Sequence, residues 1–207
     1  MKVKICGITH PEDAQYAARQ GAAYIGMIFS ERSRRRVSLE EAKKISESAR
    51  ECGAEPVGVF LEHTQEQIFC ICEDVGIDVV QLHGSEAKRA LKELLRREYK
   101  IIYAVTVGEN GGLQHKYPLP ASVISLYDTA AGGTGIPFCW EAFSPPSDTF
   151  WMLAGGLHPG NIKKAITVLR PGGVDVATGV EIPKTTRKDP ELVKLFIQEA
   201  NNIEEKI

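Results

Sequence analysis

Eight short apolar runs recur along the chain: KVKI at 2–5, AAYIGMIF at 22–29, PVGVF at 56–60, DVVQL at 78–82, KIIYAV at 100–105, SVISLY at 122–127, TFWML at 149–153 and VDVA at 174–177. Most lack the strict apolar and polar alternation of a half-exposed strand, so they read as strands buried on both faces. The segments between them begin as helices do. Thr9 with Glu12, Ser38 with Glu41 and Thr64 with Gln67 each have the spacing of a capping box, and Asp189 followed by Pro190 opens the last segment. EEAKKISESAR at 40–50 and KRALKELLRREYK at 88–100 carry the amphipathic spacing of helices lying on a sheet. NGGLQHKYPL at 110–119 is poor in helix formers and is predicted to be irregular.

Strands separated by helices imply parallel pairing, because parallel neighbours need a crossover and the crossover helices then cover the sheet. Eight such units predict an α/β fold, a single (β/α)₈ TIM barrel with a parallel closed sheet, near the lower end of its size range. The alternative is an open doubly wound sheet, which usually places a G-x-G-x-x-G turn after its first strand. Here Cys6, Gly7, Ile8 and Thr9 follow instead.

Composition narrows the partners. The 207 residues are 43% hydrophobic and 25% charged, which suits one globular domain spanning 1–207. A net charge of −2 supplies no global field for nucleic acid or a membrane surface. The opening MKVKICGITHPEDA turns polar too early for a signal peptide, which predicts a cytoplasmic protein. Five cysteines, Cys6, Cys52, Cys70, Cys72 and Cys139, are odd in number and are expected as free thiols. Cys70 and Cys72 give only C-x-C on a helix, where neighbours two apart share no face, so no metal site is predicted. Monomer and homodimer are equally compatible with the sequence.

Barrel active sites assemble where strands end. At those ends stand Cys6, the basic loop SERSRRRVS at 30–38, Gln81 with His83, Asp128, Gly155 with Gly156, and Asp175 through Gly179. Singly, each has a plain structural reading: a strand cysteine as a small hydrophobe, Asp128 and His83 as turn residues, the arginines as a solvated face. Their shared rim favours a site. Gly172 and Gly173 precede a strand and fall on the opposite, stabilising end. Gly155, Gly156, Thr178 and Gly179 follow strands seven and eight, where barrels often hold phosphate on backbone N–H groups, which predicts a phosphorylated small-molecule ligand.

Taken in order, KICGIT at 4–9, SRRRV at 33–37, VGVF at 57–60, QLHG at 81–84, DTAAGGTG at 128–135, LAGGL at 153–157 and VDVATGVE at 174–181 resemble the motifs of the phosphoribosylanthranilate isomerase family nearly end to end. The resemblance implies a cofactor-free Amadori rearrangement of N-(5-phosphoribosyl)anthranilate to 1-(2-carboxyphenylamino)-1-deoxyribulose 5-phosphate, in tryptophan biosynthesis. It implies Cys6 as general base, Asp128 as general acid, Arg35 as the clamp on the anthranilate carboxylate, and His83 and Asp175 as further polar residues of the site. Gly155, Gly156, Thr178 and Gly179 correspond to the phosphate cradle. A thiol at its ordinary pKa is only roughly 3% ionised at pH 7, and a modest lowering would suffice to make Cys6 an effective base. Mutual repulsion would make Cys6 and Asp128 share a proton.

The chain departs from the usual motif at Ala177, where a serine hydroxyl is missing, at Thr185 to Arg187 before Lys188, at Cys139 and at His158. Arg187 or Lys184 is expected to compensate at the phosphate. Two other functions fit the same rim: a phosphosugar epimerase or lyase, and a non-catalytic barrel that docks an anion. No lysine closes any of the eight strands, which weighs against a Schiff-base lyase.

Overall fold

A computed structural model describes residues 1–113, 119–129, 137–145 and 149–202. Eight strands, β1 (Lys2–Ile5), β2 (Tyr24–Ile28), β3 (Glu55–Phe60), β4 (Val79–Leu82), β5 (Lys100–Val107), β6 (Ile124–Thr129), β7 (Trp151–Leu153) and β8 (Gly173–Val176), form a closed barrel in sequence order. Every neighbouring pair is parallel, and β8 closes on β1 with Lys4 opposite Asp175. All eight predicted runs are strands of this barrel.

The helices are α1 (Pro11–Arg19), α2 (Leu39–Glu51), α3 (Gln65–Val75), α4 (Ser85–Lys88), α5 (Leu91–Arg96), α6 (Ile162–Leu169) and α7 (Pro190–Asn201). Ser38 and Thr64 close complete capping boxes with Glu41 and Gln67 at α2 and α3, and the Asp189 carboxylate accepts the Glu191 and Leu192 amides at α7. The expected Thr9 box does not form. Pro11 fixes the first turn of α1, which moves the cap to His10, and Thr9 Oγ1 is tied to Thr186 instead. The run at 88–100 is also not one helix. Ala87 N–H is drawn to the Leu61 carbonyl at 3.1 Å, and the segment divides into the single turn α4 and the short α5. The described part of 110–119 holds no helix, and 114–118 lie outside the described residues. Between β6 and β7 the described residues hold only a 3₁₀ turn at Trp140–Ala142.

The core has two layers. Val3, Ile5, Val80, Leu82, Val174 and Val176 face the surrounding helices, whose apolar stripes cover the sheet. Inside the barrel, Tyr24, Val57, Val79, Ile102, Leu126 and Met152 form a separate apolar plug. Because side chains alternate along a strand, the residues two further on enter the same interior one layer higher. Four members of that layer are polar, Lys4 below Cys6 on β1, Gln81 on β4, Asp128 on β6 and Asp175 on β8. The plug ends where the chemistry begins. No helix among the described residues is long and apolar enough to cross a membrane.

Candidate active site

A cavity of about 410 Å³ opens at the C-terminal ends of the strands, and all nine residues singled out from the sequence line it. Cys6 enters from the end of β1, His83 from β4, Asp128 from β6 and Asp175 from β8, while Arg35 reaches in from the loop after β2. Gly155, Gly156, Thr178 and Gly179 close the side formed by the loops after β7 and β8.

The glycine after Cys6 has a local cause. Gly7 has φ +68°, a left-handed conformation that carries the chain sharply away from the strand, and a Cβ there would lie 2.4 Å from Arg35 Cδ. The turn therefore admits the arginine directly over the thiol-bearing strand. Cys6 itself is 6% exposed, and its thiol pKa is raised, away from the lowering that would favour a base. Burial is the dominant cause. The Lys4 ammonium draws it down and the Asp175 carboxylate pushes it up. The carboxyl group pressing on the thiol is thus that of Asp175, whereas Asp128 meets His83, with Oδ2 3.2 Å from Nε2. The expected proton-sharing pair gives way to two neighbouring pairs. They touch electrostatically, because Asp128 helps raise the Asp175 pKa beyond the effect of burial.

Arg35 does not wait with an open fork. Its Nε and Nη2 donate to Glu181 at 2.5 and 3.1 Å, and Nη2 also donates to Thr178 Oγ1 at 2.8 Å. Glu181 accepts from Arg34 and from Lys188 Nζ as well, the latter at 2.9 Å. Burial would raise its carboxyl pKa, but the surrounding Arg35 and Lys188 outweigh that and hold it low. The basic loop is therefore half spent inside the protein. The expected compensation at the phosphate by Arg187 or Lys184 is not seen: Arg187 grips the Asp13 carboxylate through Nε and Nη2, at 3.0 and 2.8 Å, and Lys184 is exposed away from the cavity.

On the cradle side Gly155 and Gly156 adopt φ of +87° and +65°. The N–H groups of Gly155 and Gly156 donate to no backbone acceptor among the described residues, and Thr178 and Gly179 begin the 3₁₀ turn Thr178–Val180, whose first amides have no partner within the turn, which leaves a set of amides suited to an anion. Asn161 Nδ2 braces the Gly156 carbonyl at 2.8 Å from the cap of α6. Of the motif DTAAGGTG, residues 130–135 lie outside the described residues, as does most of the loop 129–137.

Four further residues shape the site without having been picked out: Lys4, Gly26, Glu181 and Lys188. Lys4 had a signal, since a residue two before Cys6 on a strand shares its inward face. Gly26 on β2 makes room, for a Cβ there would sit 2.8 Å from Cys6 Sγ and 3.0 Å from Lys4 Nζ. Gly26→Ala is expected to keep the barrel, at a cost of about 1–3 kcal/mol for overpacking, while displacing the thiol. Denaturant unfolding and the rate of Cys6 alkylation, measured on the same preparation, check this. Wild-type alkylation in the variant would show that the contact is relieved elsewhere.

The family model for N-(5'phosphoribosyl)anthranilate (PRA) isomerase matches residues 3–199. The chain is 61% identical over 207 residues to the N-(5'-phosphoribosyl)anthranilate isomerase of Chlamydia felis, with both chains covered in full. Among solved structures, phosphoribosyl anthranilate isomerase from Thermotoga maritima is similar at a TM-score of 0.84 and 34% identity, over 98% of this chain and 100% of that one. A phosphoribosyl anthranilate isomerase in complex with reduced 1-(o-carboxyphenylamino)-1-deoxyribulose 5-phosphate is similar at a TM-score of 0.78 and 32% identity, over 98% and 100% of the two chains.

Proposed function

The chain belongs to the N-(5'-phosphoribosyl)anthranilate isomerase family, and from that membership we propose how its residues divide the reaction, with Cys6 as general base and Asp128 as general acid. The activity is the isomerisation of phosphoribosylanthranilate by an Amadori rearrangement, a step of tryptophan biosynthesis. Membership removes the epimerase, lyase and anion-docking alternatives.

The rearrangement opens a ribose ring and moves a proton from C2, so it needs a proton donor at the ring oxygen and a proton acceptor at C2, both facing one sugar. Asp128 supplies the first, held by His83 at its Oδ2. Cys6 supplies the second from a different wall of the barrel interior, since β1 and β6 are not neighbours. The amides of Gly155, Gly156, Thr178 and Gly179 take the phosphate. Arg35 takes the anthranilate carboxylate through its planar fork, in exchange for its bonds to Glu181. After that exchange Glu181 keeps Lys188 and Arg34, so its charge is not stranded.

The observation that carries this reading is the convergence of an acid, a base, an arginine and a row of open amides on one cavity. Residues 1–207 act as one catalytic domain whose partner is the small phosphorylated substrate, with no nucleic acid and no membrane. A cytoplasmic setting is supported by the five free cysteines. The test is a progress curve of phosphoribosylanthranilate fluorescence with purified protein. Steady loss of signal dependent on enzyme is expected, and stoichiometric binding without turnover would contradict the assignment.

A further inference from the structure

Lys4 is a lysine with no exposure at all, placed in the middle of a barrel strand. It does not line the cavity; it lies under it. Its Nζ donates to Asp175 Oδ1 at 3.0 Å, across the seam where β8 closes on β1. The same nitrogen and Cys6 Sγ flank one point in space, the position a Cβ on Gly26 would take. A charged group so deep is expensive to bury and is retained in proteins chiefly where it is paired. One carboxylate would suffice for pairing. This ammonium has a second neighbour besides Asp175, and it is the reacting sulfur.

We propose that Lys4 is a positioning residue for the thiol: its ammonium, shared between the Asp175 carboxylate and Cys6, is the counter-ion that lets the sulfur carry negative charge beneath the substrate. The inference rests on the reading of Cys6 as the base. When Cys6 ionises, the Sγ–H proton leaves through the cavity mouth to solvent, and the ammonium keeps all three of its protons while turning partly from Asp175 to sulfur. When the thiolate takes the C2 proton of the substrate, the S–H bond reforms and Lys4 returns wholly to Asp175. Proton and charge balance at each stage, and no proton passes through Lys4.

Among the described residues, the charged groups that act on the sulfur are Lys4, Asp175 and Lys188, and β2 meets it at Gly26. Lys188, from the loop before α7, is the second cation, but it is held by Glu181 and by the Ala177 carbonyl at 3.0 Å. Asp175 is in turn touched by Asp128 and His83. Burial works against the Lys4 ammonium, yet Asp175 and Cys6 hold its pKa above the usual lysine value, so it stays charged across the working range. Burial pushes the thiol up, Lys4 draws it down, and Asp175 pushes it up again. The carboxylate and the thiolate therefore compete for one cation.

That competition gives two variants opposite signs. The pH dependence of Cys6 alkylation by iodoacetamide, read by peptide mass spectrometry, reports thiol ionisation without reference to turnover. In Lys4→Met the midpoint is expected to rise by at least about one unit, a tenfold slower reaction at pH 7. In Asp175→Asn, which frees the ammonium for sulfur, it is expected to fall. A merely structural ion pair would move both midpoints alike or neither, and either result overturns the proposal. Should Lys4→Met fail to fold, Asp175→Asn decides alone, and an unchanged or raised midpoint overturns it. Inactive Cys6→Ser with unmoved midpoints would sink the role of Lys4 and leave the base standing; shifted midpoints with an active Cys6→Ser would do the reverse.

Discussion

Cys6→Ser is expected to lower kcat by at least ~10²-fold, the usual lower worth of a positioned base, with little change in unfolding free energy. The substitution exchanges sulfur for oxygen in a side chain of nearly the same shape, and the Lys4 ammonium stands beside it as a polar neighbour, so packing changes little. The chemistry changes a great deal, because a serine hydroxyl has no accessible anion near neutral pH, whereas a thiol at its ordinary value is already a few per cent ionised at pH 7. Burial raises the Cys6 thiol, which fixes the sign of the pH dependence. The base must be deprotonated, so kcat/KM is expected to climb with pH through the range above the ordinary thiol value and to level off only beyond it. That alkaline limb should vanish in the serine variant. A limb that persists there would belong to another group.

Asp128→Asn should cost turnover a similar factor of at least ~10² through a different failure. The amide is isosteric and can still bond to His83 across the 3.2 Å contact, given the matching imidazole tautomer, so the wall of the cavity keeps its shape. It cannot give up a proton to the ring oxygen. The loss is therefore expected in kcat with KM nearly unchanged, the pattern of an interaction made only in the transition state. Steady-state kinetics on the progress curve separates the two constants. A raised KM at unchanged kcat would make Asp128 a binding group instead.

How far the sequence reaches can be traced through particular residues. The strands were legible because each is a short apolar run bounded by glycine, proline or charge, and eight of them with crossovers leave few ways to close a sheet. The rim was legible from the same runs, since whatever follows a strand lies at its C-terminal end. Partnerships across the barrel were not. The bond of Lys4 to Asp175 joins positions 171 apart, and Glu181 gathers Arg34, Arg35 and Lys188 only after the loop following β8 folds under the loop following β2. Arg187 reads as a candidate anion binder until α1 brings Asp13 beneath it. The direction of the Cys6 pKa was out of reach of the sequence for a related reason. A reference value carries no burial, and burial is the largest influence on this thiol. Thr9 shows the local version, where a capping spacing was present but Pro11 settled the start of the helix first.

A crystal structure of this protein with the reduced product analogue, the ligand held by its solved relative, puts the central geometry to the test. Sulfur of residue 6 should stand within about 3.5 Å of the second sugar carbon, and a carboxylate oxygen of residue 128 should approach the far side of the same sugar. A ligand that leaves either atom out of contact would mean that the two groups do not serve one proton transfer sequence.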